Sequence, residues 1–556
     1  MLQTIIPAIG WLKDYKLSNL KSDLAAGTIV AIMLIPQGMA YAMLAGLPPV
    51  MGLYASTFPL ILYALFGSSR HLAVGPVAMI SLLVFTGVSS LAEPGSNQYI
   101  QLVLLLTLMV GVLQLLLGIL GAGFFINFVS HAVISGFSSA AAIIIGLSQL
   151  GHLLGVKLSV HHSVFQSLWE AMKRIGEVHP ITMGMGLASI LLLIFLTKIA
   201  PRLPAPLLMV AGSITLTYLL RLDQSGVKIV GDIPRGLPGF IFPEMSLDSI
   251  RLLLPVAMTI LFVGFMESVS IAKLIAAKER YKINSNHELR GLGLANIVAA
   301  LFSAYPVTGG FSRTAVNHQA GARTGLASII SAGLILLILL FLTPLFYYLP
   351  NAVLAGIVVV AVAGLIDFKG VRHLFKIRPV DGWTWMLTFI ITLTLGSEKG
   401  ILAGIAFSLL LFIWRSAHPH TAELGYIEKE KVFRNVNRFP EAWAFPEVLI
   451  LRVDASLYFA NTGFLEELLH KHLVEKPELK WVILDFSGVN DMDAIAIDTL
   501  EETMDAYREK KVQFLFAEMK GPVRDLVLKA GWEEKYGKRF QYLTIKHALR
   551  EMLAKI

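Results

Sequence analysis

Between Leu24 and Val156 the chain carries only two charged side chains, Arg70 and Glu93. No soluble fold can clothe its surface with so little charge over such a length, because roughly a quarter of the residues in an average soluble protein are charged. A lipid-facing helical bundle needs no such covering. The remaining charge is gathered at the far end. Residues 1–420 hold 26 basic and 15 acidic side chains, whereas the much shorter stretch 421–556 holds 20 and 23. The chain therefore reads as an α-helical membrane domain followed by a soluble one. The net charge of +8 arises in the membrane part. Membrane topology demands such a surplus, so it is no reason to expect a nucleic-acid partner. The absence of cysteine excludes disulfides, thiolate metal sites and a cysteine nucleophile. Lys13, Lys16 and Lys21 precede a first apolar run that is too long for a cleavable signal.

A spanning helix needs about 20 mostly apolar residues. Twelve runs qualify or nearly so: 24–44, 51–66, 99–120, 124–150, 181–200, 205–220, 252–274, 292–302, 325–345, 352–366, 383–395 and 401–414. Two more are apolar but interrupted, 71–88 at Gly75-Pro76 and 303–321 at Gly309-Gly310. Counting both predicts fourteen crossings. With a cytoplasmic N-terminus, alternate numbering then places most Lys and Arg in the inner loops, including Lys273, Lys278, Arg280, Lys282 and Arg290 in one loop and Lys369, Arg372, Lys376 and Arg378 in another. An even count puts the C-terminal domain in the cytoplasm as well. The interrupted segments are third and tenth, the same place in two sets of seven. Because seven is odd, the second set runs inverted relative to the first. Broken segments at matching positions of two halves point to a transporter binding site. The expected layout is a transport domain over 1–416, with repeats at about 20–221 and 250–416. A linker and the start of the tail occupy 417–442, and an α/β domain occupies 443–556. Its expected strands, 448–453, 481–486 and 512–517, alternate with helical patterns at 462–473, 496–510 and 522–529, which argues for a mostly parallel sheet.

Arg313 lies at the start of the half-helix expected in the tenth segment, flanked by apolar runs. Arginine at bilayer depth costs several kcal/mol and marks function by default, at about +2.5 kcal/mol or more by insertion scales. A half-helix N-terminus adds free backbone N–H groups and the positive end of the dipole. Ser312 adds a hydroxyl, and Gly309-Gly310 let a ligand approach the backbone. Pro76-Val77-Ala78-Met79 supplies a second such N-terminus. Two opposed N-termini and an arginine suit an anion. The alternative is a structural ion pair of Arg313, with Glu267 as its partner. Glu267, inside the eighth segment, is the only acidic residue between Asp248 and Glu279. It can carry a proton or coordinate a cation, or simply face another helix. Gln37 and Tyr41, four apart, share one helix face and can orient a substrate; alternatively Gln37 relieves the backbone near Pro36. His131 and His318 lack partners at metal spacing and read as packing or pore-side polar groups. Asp23 reads as the N-cap of the first helix.

These residues resemble the SulP family of anion transporters. DLAAGTIVAIMLIPQGMAYAMLAGLPPVMGLYASTFPLILYALFGSSRHLAVGPVAMIS (23–81) looks like the family's signature region. YPVTGGFSRTAVNHQAGART (305–324) is similar to its tenth helix. LYFANTGFLEELL and ILDFSGVNDMDAIAIDTL resemble its C-terminal STAS domain. The resemblance implies fourteen transmembrane segments in two inverted seven-helix repeats, with the core and gate parts also found in nucleobase permeases. It implies a substrate between the third and tenth helices, elevator-type alternating access, a plasma-membrane location, a homodimer and a cytoplasmic STAS domain. It places the substrate site at Gln37, Tyr41, Val77, Ala78, Met79, Glu267, Gly310, Phe311, Ser312 and Arg313, with Glu267 also the coupling residue. No cofactor or metal is called for. The expected function is secondary active transport of a small anion, sulfate or a related inorganic or carboxylate anion, with bicarbonate or a dicarboxylate as alternatives. The coupling ion is H+ or Na+. H+ is favoured because the eighth segment offers one carboxylate, and a caged cation takes several oxygens. One departure concerns the STAS loop, where Met492-Asp493 is followed by Ala494-Ile495-Ala496 and no hydroxyl stands ready for phosphorylation. Nucleobase permeases would explain Glu267 but not Arg313 or the STAS tail. A membrane sensor with STAS output and vestigial transport remains the alternative of another class. Motifs for an enzyme are missing.

Overall fold

The computed structural model describes residues 6–13, 15–124, 130–158, 164–200 and 204–553. The chain divides into two compact units, Met1–Ser408 and Leu409–Ile556. In the first, the segments run Leu17–Leu44, Pro49–Phe66, the interrupted third ending in Ala78–Val88, Asn97–Ile119, His131–Leu154, Pro180–Ile199 and Ala205–Leu220. The second set runs Leu247–Lys278, Ser285–Leu301, the interrupted tenth ending in Phe311–Gln319, Leu326–Phe341, Asn351–Ala363, Pro379–Leu395 and Ser397–Ala417. The beginning of the run expected at 124–150 falls outside the described residues. Among the described residues, eight helices are long and apolar enough to cross a membrane unaided. The third and tenth are not among them, because each spends part of its path as extended chain: β1 (Val74–Gly75) and β2 (Thr308–Gly309) pair with each other.

The first two helices touch backbone to backbone. A Cβ on Gly52 would lie 1.9 Å from the Gly38 carbonyl oxygen, so only glycine allows that approach. Two buried carboxylates tie distant elements together. Glu288, at the start of the ninth segment, accepts from Tyr63 Oη at 2.5 Å, from Ser68 N and Oγ at 2.8 and 2.6 Å, and from Ser69 N at 3.0 Å. Those four donors hold the loop that leads into β1. Asp23 corrects an expectation. The first helix begins at Leu17, so Asp23 sits inside it and caps nothing there. Its carboxylate instead accepts from the N–H groups of Arg323 (2.7 Å) and Thr324 (3.1 Å) and from Thr324 Oγ1 (2.7 Å). It thereby satisfies the loop before the eleventh helix.

The second unit is a five-stranded sheet in the order β4-β3-β5-β6-β7. The strands β5 (Val448–Val453), β6 (Trp481–Asp485) and β7 (Gln513–Ala517) are parallel, in the places the apolar runs indicated. Their alternate residues face two separate cores, as a period of two requires. Leu449, Leu451 and Val453 pack on the side of the helices Thr462–Glu475 and Ala494–Glu509. Val448 and Ile450 pack on the side of Ile545–Leu553. Residues 417–442, expected as linker and start of the tail, hold two strands of the sheet, β3 (Thr421–Ile427) and β4 (Val432–Asn435). They add antiparallel at one side, β3 against β5 and β4 at the edge. Asp493 N-caps Ala494–Glu509 through Ala496 N at 2.8 Å.

Candidate functional site

The antiparallel pairing of β1 with β2 (Val74 opposite Gly309, Gly75 opposite Thr308) joins equivalent positions of the two repeats. Elements related by inversion meet head to tail, so this pairing is what the repeat predicts. Extended backbone at this depth survives only if protein satisfies it. Gly309 N donates to Ser268 Oγ at 2.8 Å, and Thr308 Oγ1 donates to the Gly264 carbonyl at 2.6 Å, both on the eighth helix. Asn296 on the ninth helix clasps Val307, accepting its N–H at 2.8 Å and donating to its carbonyl at 3.1 Å. Gln114 accepts from Asn296 in turn, at 2.9 Å. Ala73 N donates to Thr314 Oγ1 at 3.1 Å, and Gly310 N to the Ala73 carbonyl at 3.1 Å.

Immediately after the strands the two half-helices start, with Val77 and Gly310 as N-caps. Neither has a side-chain cap. Their first N–H groups therefore remain available, and both positive dipole ends begin at the same pair of strands. Arg313 is 2% exposed. Its side chain folds back toward the start of its own half-helix. Nη1 donates to the Pro76 carbonyl at 2.7 Å, while Nε and Nη2 have no partner. A Cβ on Gly310 would stand 2.7 Å from Nη2, so glycine is what gives the guanidinium its place. Arg313 forms no ion pair with Glu267, the alternative weighed from the sequence.

Tyr41, Glu267 and Tyr305 lie within electrostatic range of that guanidinium. Glu267 Oε2 and Gln37 Oε1 are buried without a hydrogen-bond partner. Ala78, Met79 and Tyr41 are buried and Val77 half-buried, while Phe311 and Ser312 are exposed at the mouth of the tenth half-helix. His318 lies apart from this group, its Nε2 2.8 Å from Glu279 Oε1. That hydrogen bond holds the Glu279 carboxyl below the usual carboxylate range. His131 opens the fifth segment, exposed. The polar residues that brace β2, Ser268, Asn296, Thr308 and Gln114, escaped the sequence reading. The signal was there, since each is a polar side chain in an apolar run.

A cation with unused donors, between two uncapped helix N-termini inside a two-repeat membrane bundle, is the arrangement of a transporter for small anions. Comparison with known proteins agrees. The model of the sulfate permease family matches residues 20–388 and that of the STAS domain residues 440–548. The chain belongs to the sulfate permease family. It is 39% identical over 572 residues to Sulfate transporter 4.1, chloroplastic, of Arabidopsis thaliana, covering 99% of this chain and 83% of that protein. It is 34% identical over 573 residues to High affinity sulfate transporter 2 of Stylosanthes hamata, covering 99% and 86%. Among solved structures, the murine Slc26a9 anion transporter matches with a TM-score of 0.92 at 24% identity, over 99% of this chain and 94% of that one. The transmembrane domain of the cyanobacterial bicarbonate transporter BicA matches with a TM-score of 0.62 at 25% identity, over 71% and 98%.

Proposed function

We propose that this protein is a secondary active transporter of sulfate, coupled to protons through Glu267. The observation that carries the reading is the pair of unused Arg313 donors between two uncapped N-termini. Charge counting makes it specific. Each N-terminus is equivalent to roughly half an elementary charge, so two of them with Arg313 supply about +2. A divalent oxyanion balances that sum only when Glu267 is protonated. With Glu267 ionised the site holds about +1 and is one charge short for sulfate. Binding of the proton and of the divalent anion are thereby linked, and each favours the other. Tyr41, Gln37 and Ser312 would complete the hydrogen bonding, with Val77, Ala78, Met79, Gly310 and Phe311 shaping the pocket.

The movement we infer is an elevator in which the strand pair, both half-helices and the first, eighth and ninth helices travel together, since hydrogen bonds join β2 and its flank to the eighth and ninth helices and the first helix packs against both half-helices. The repeats at about 20–221 and 250–416, a homodimer, a plasma-membrane location and cytoplasmic placement of the N-terminus and STAS domain belong to the same reading. The positive-inside bias supports the orientation. A monovalent anion such as bicarbonate would match the site with Glu267 ionised, and the likeness to BicA favours keeping it in the test. The experiment is uptake into vesicles of purified protein, comparing sulfate, bicarbonate, fumarate, succinate and chloride with and without a proton or sodium gradient. Sulfate accumulation driven by an inward proton gradient is expected. Accumulation of bicarbonate alone, driven by sodium, would replace this reading.

A further inference from the structure

A second basic feature of the membrane unit is unrelated to Arg313. A cavity of about 520 Å³ opens among the ends of five segments: Met43 in the last turn of the first helix and Leu47 after it, Leu82, Phe85 and Thr86 on the third half-helix and Ser89 at its end, His152 on the fifth, Thr182 on the sixth and Asn351 on the twelfth. With fourteen alternating crossings, all these ends lie opposite the Lys/Arg-rich loops, which is the outer face. Lys157 and Lys228, from two different loops, also line it. Both lysines are exposed, and neither has an ion-pair partner among the described residues. Among the described residues, no carboxylate lines the cavity. The backbone that presents the lysines is pinned. The Lys157 carbonyl accepts from Arg174 Nη1 at 2.8 Å, and the Lys228 carbonyl from Asn351 N at 3.0 Å. The volume and the apolar walls with a few polar groups are those of a ligand pocket rather than a packing defect.

We propose that this cavity is an outer anion-capture site, in which a small anion dwells between the ammonium groups of Lys157 and Lys228 before it reaches Arg313. The third half-helix links the two places. Met79 lies at its inner start and Thr86 seven residues on, about 10 Å along the axis. Met43, Leu82 and Phe85 are part of the cavity's apolar lining. A cleft lined by one sign of charge raises the local concentration of counter-ions by about tenfold to a thousandfold. The effect falls on capture, not on the affinity of the central site. The inference rests on the proposed orientation in the membrane and is independent of which anion is carried.

Because the chain has no cysteine, a single Ser89→Cys reports on the cavity alone. Intact cells carrying this variant are treated with a membrane-impermeant anionic thiosulfonate or its cationic counterpart. The anionic reagent should react faster, and sulfate or chloride should slow it relative to gluconate at equal ionic strength. Adding Lys157→Gln and Lys228→Gln should lower the anionic-to-cationic rate ratio about tenfold or more. Thr86→Cys, one turn away, serves as a second reporter should Ser89→Cys fold poorly. In uptake, the double lysine variant should show a raised KM for external sulfate with an unchanged maximal rate. A rate ratio indifferent to the lysines, or no protection by sulfate or chloride, overturns the capture site. Labelling only from the inner side overturns it through the orientation. A protected, charge-selective cysteine in a protein that moves no sulfate leaves the capture site standing and removes the sulfate reading instead.

Discussion

Arg313 holds the Pro76 carbonyl with one nitrogen and keeps two others free, so its removal should cost both the anion and the join between the repeats. Loss of one partner from a buried charged contact typically costs about 3–5 kcal/mol, which is more than a hundredfold in affinity. Arg313→Ala should show that loss in a sulfate titration of purified protein. Gly310→Ala is the subtler probe. The new Cβ would meet the guanidinium at 2.7 Å, and a flexible side-chain end yields more easily than backbone. The protein should fold, with Arg313 displaced from Pro76 and sulfate affinity reduced. Unchanged affinity in both variants would remove Arg313 from the site. Glu267→Gln keeps the shape but cannot ionise. Sulfate exchange should persist, while accumulation driven by a proton gradient should vanish. Continued gradient-driven accumulation would exclude Glu267 as the coupling group.

At the level of elements, the site depends on two residues of extended chain in each repeat, and side chains from the eighth and ninth helices satisfy backbone groups in and just before β2. Asn296 carries the largest share, since it meets both polar groups of Val307. Asn296→Leu leaves that N–H and carbonyl buried without partners, at about 1–3 kcal/mol for each group. The expected outcome is a lower melting temperature in detergent and a smaller stabilising shift on adding sulfate, although Asn296 does not face the anion. A variant that melts and responds like the parent would show that β2 holds its place without the clasp.

For the whole molecule, the end of the last membrane helix gives a clean cut. The last membrane helix runs to Ala417 and β3 begins at Thr421, so truncation belongs between them rather than inside the sheet. Every candidate substrate residue precedes that cut. The membrane unit ending at Ala417 should still bind sulfate, with changes in rate or expression rather than selectivity. The segment from His418 onward has a core on each face of its sheet and should unfold cooperatively by itself. A folded truncation without affinity for any anion would place part of the site in the tail. One that binds but no longer transports would make the STAS domain part of the moving machinery.

The sequence alone determined the membrane class, the fourteen segments, the two interrupted ones and the three parallel strands. Each of these is written locally, in the length of an apolar run, in a Gly-Pro or Gly-Gly break, or in a short run of β-formers. Arg313 was legible for the same reason, since a charge inside an apolar run has few explanations. What the tertiary structure decided are contacts between residues far apart in the chain. Pro76 is the carbonyl that Arg313 reaches, Asn296 clasps Val307 and links to Gln114, and Asp23 serves the loop before the eleventh helix instead of its own helix. The strands β3 and β4 were hidden because charged residues and Gly425 interrupt a short alternation that only pairing with β5 makes into a sheet. Lys157 and Lys228 sit in unremarkable polar loops, and only the packing of the segment ends turns them toward one cavity. Local patterns name the elements; which of their polar groups meet depends on the packing of the whole bundle, which no single segment encodes.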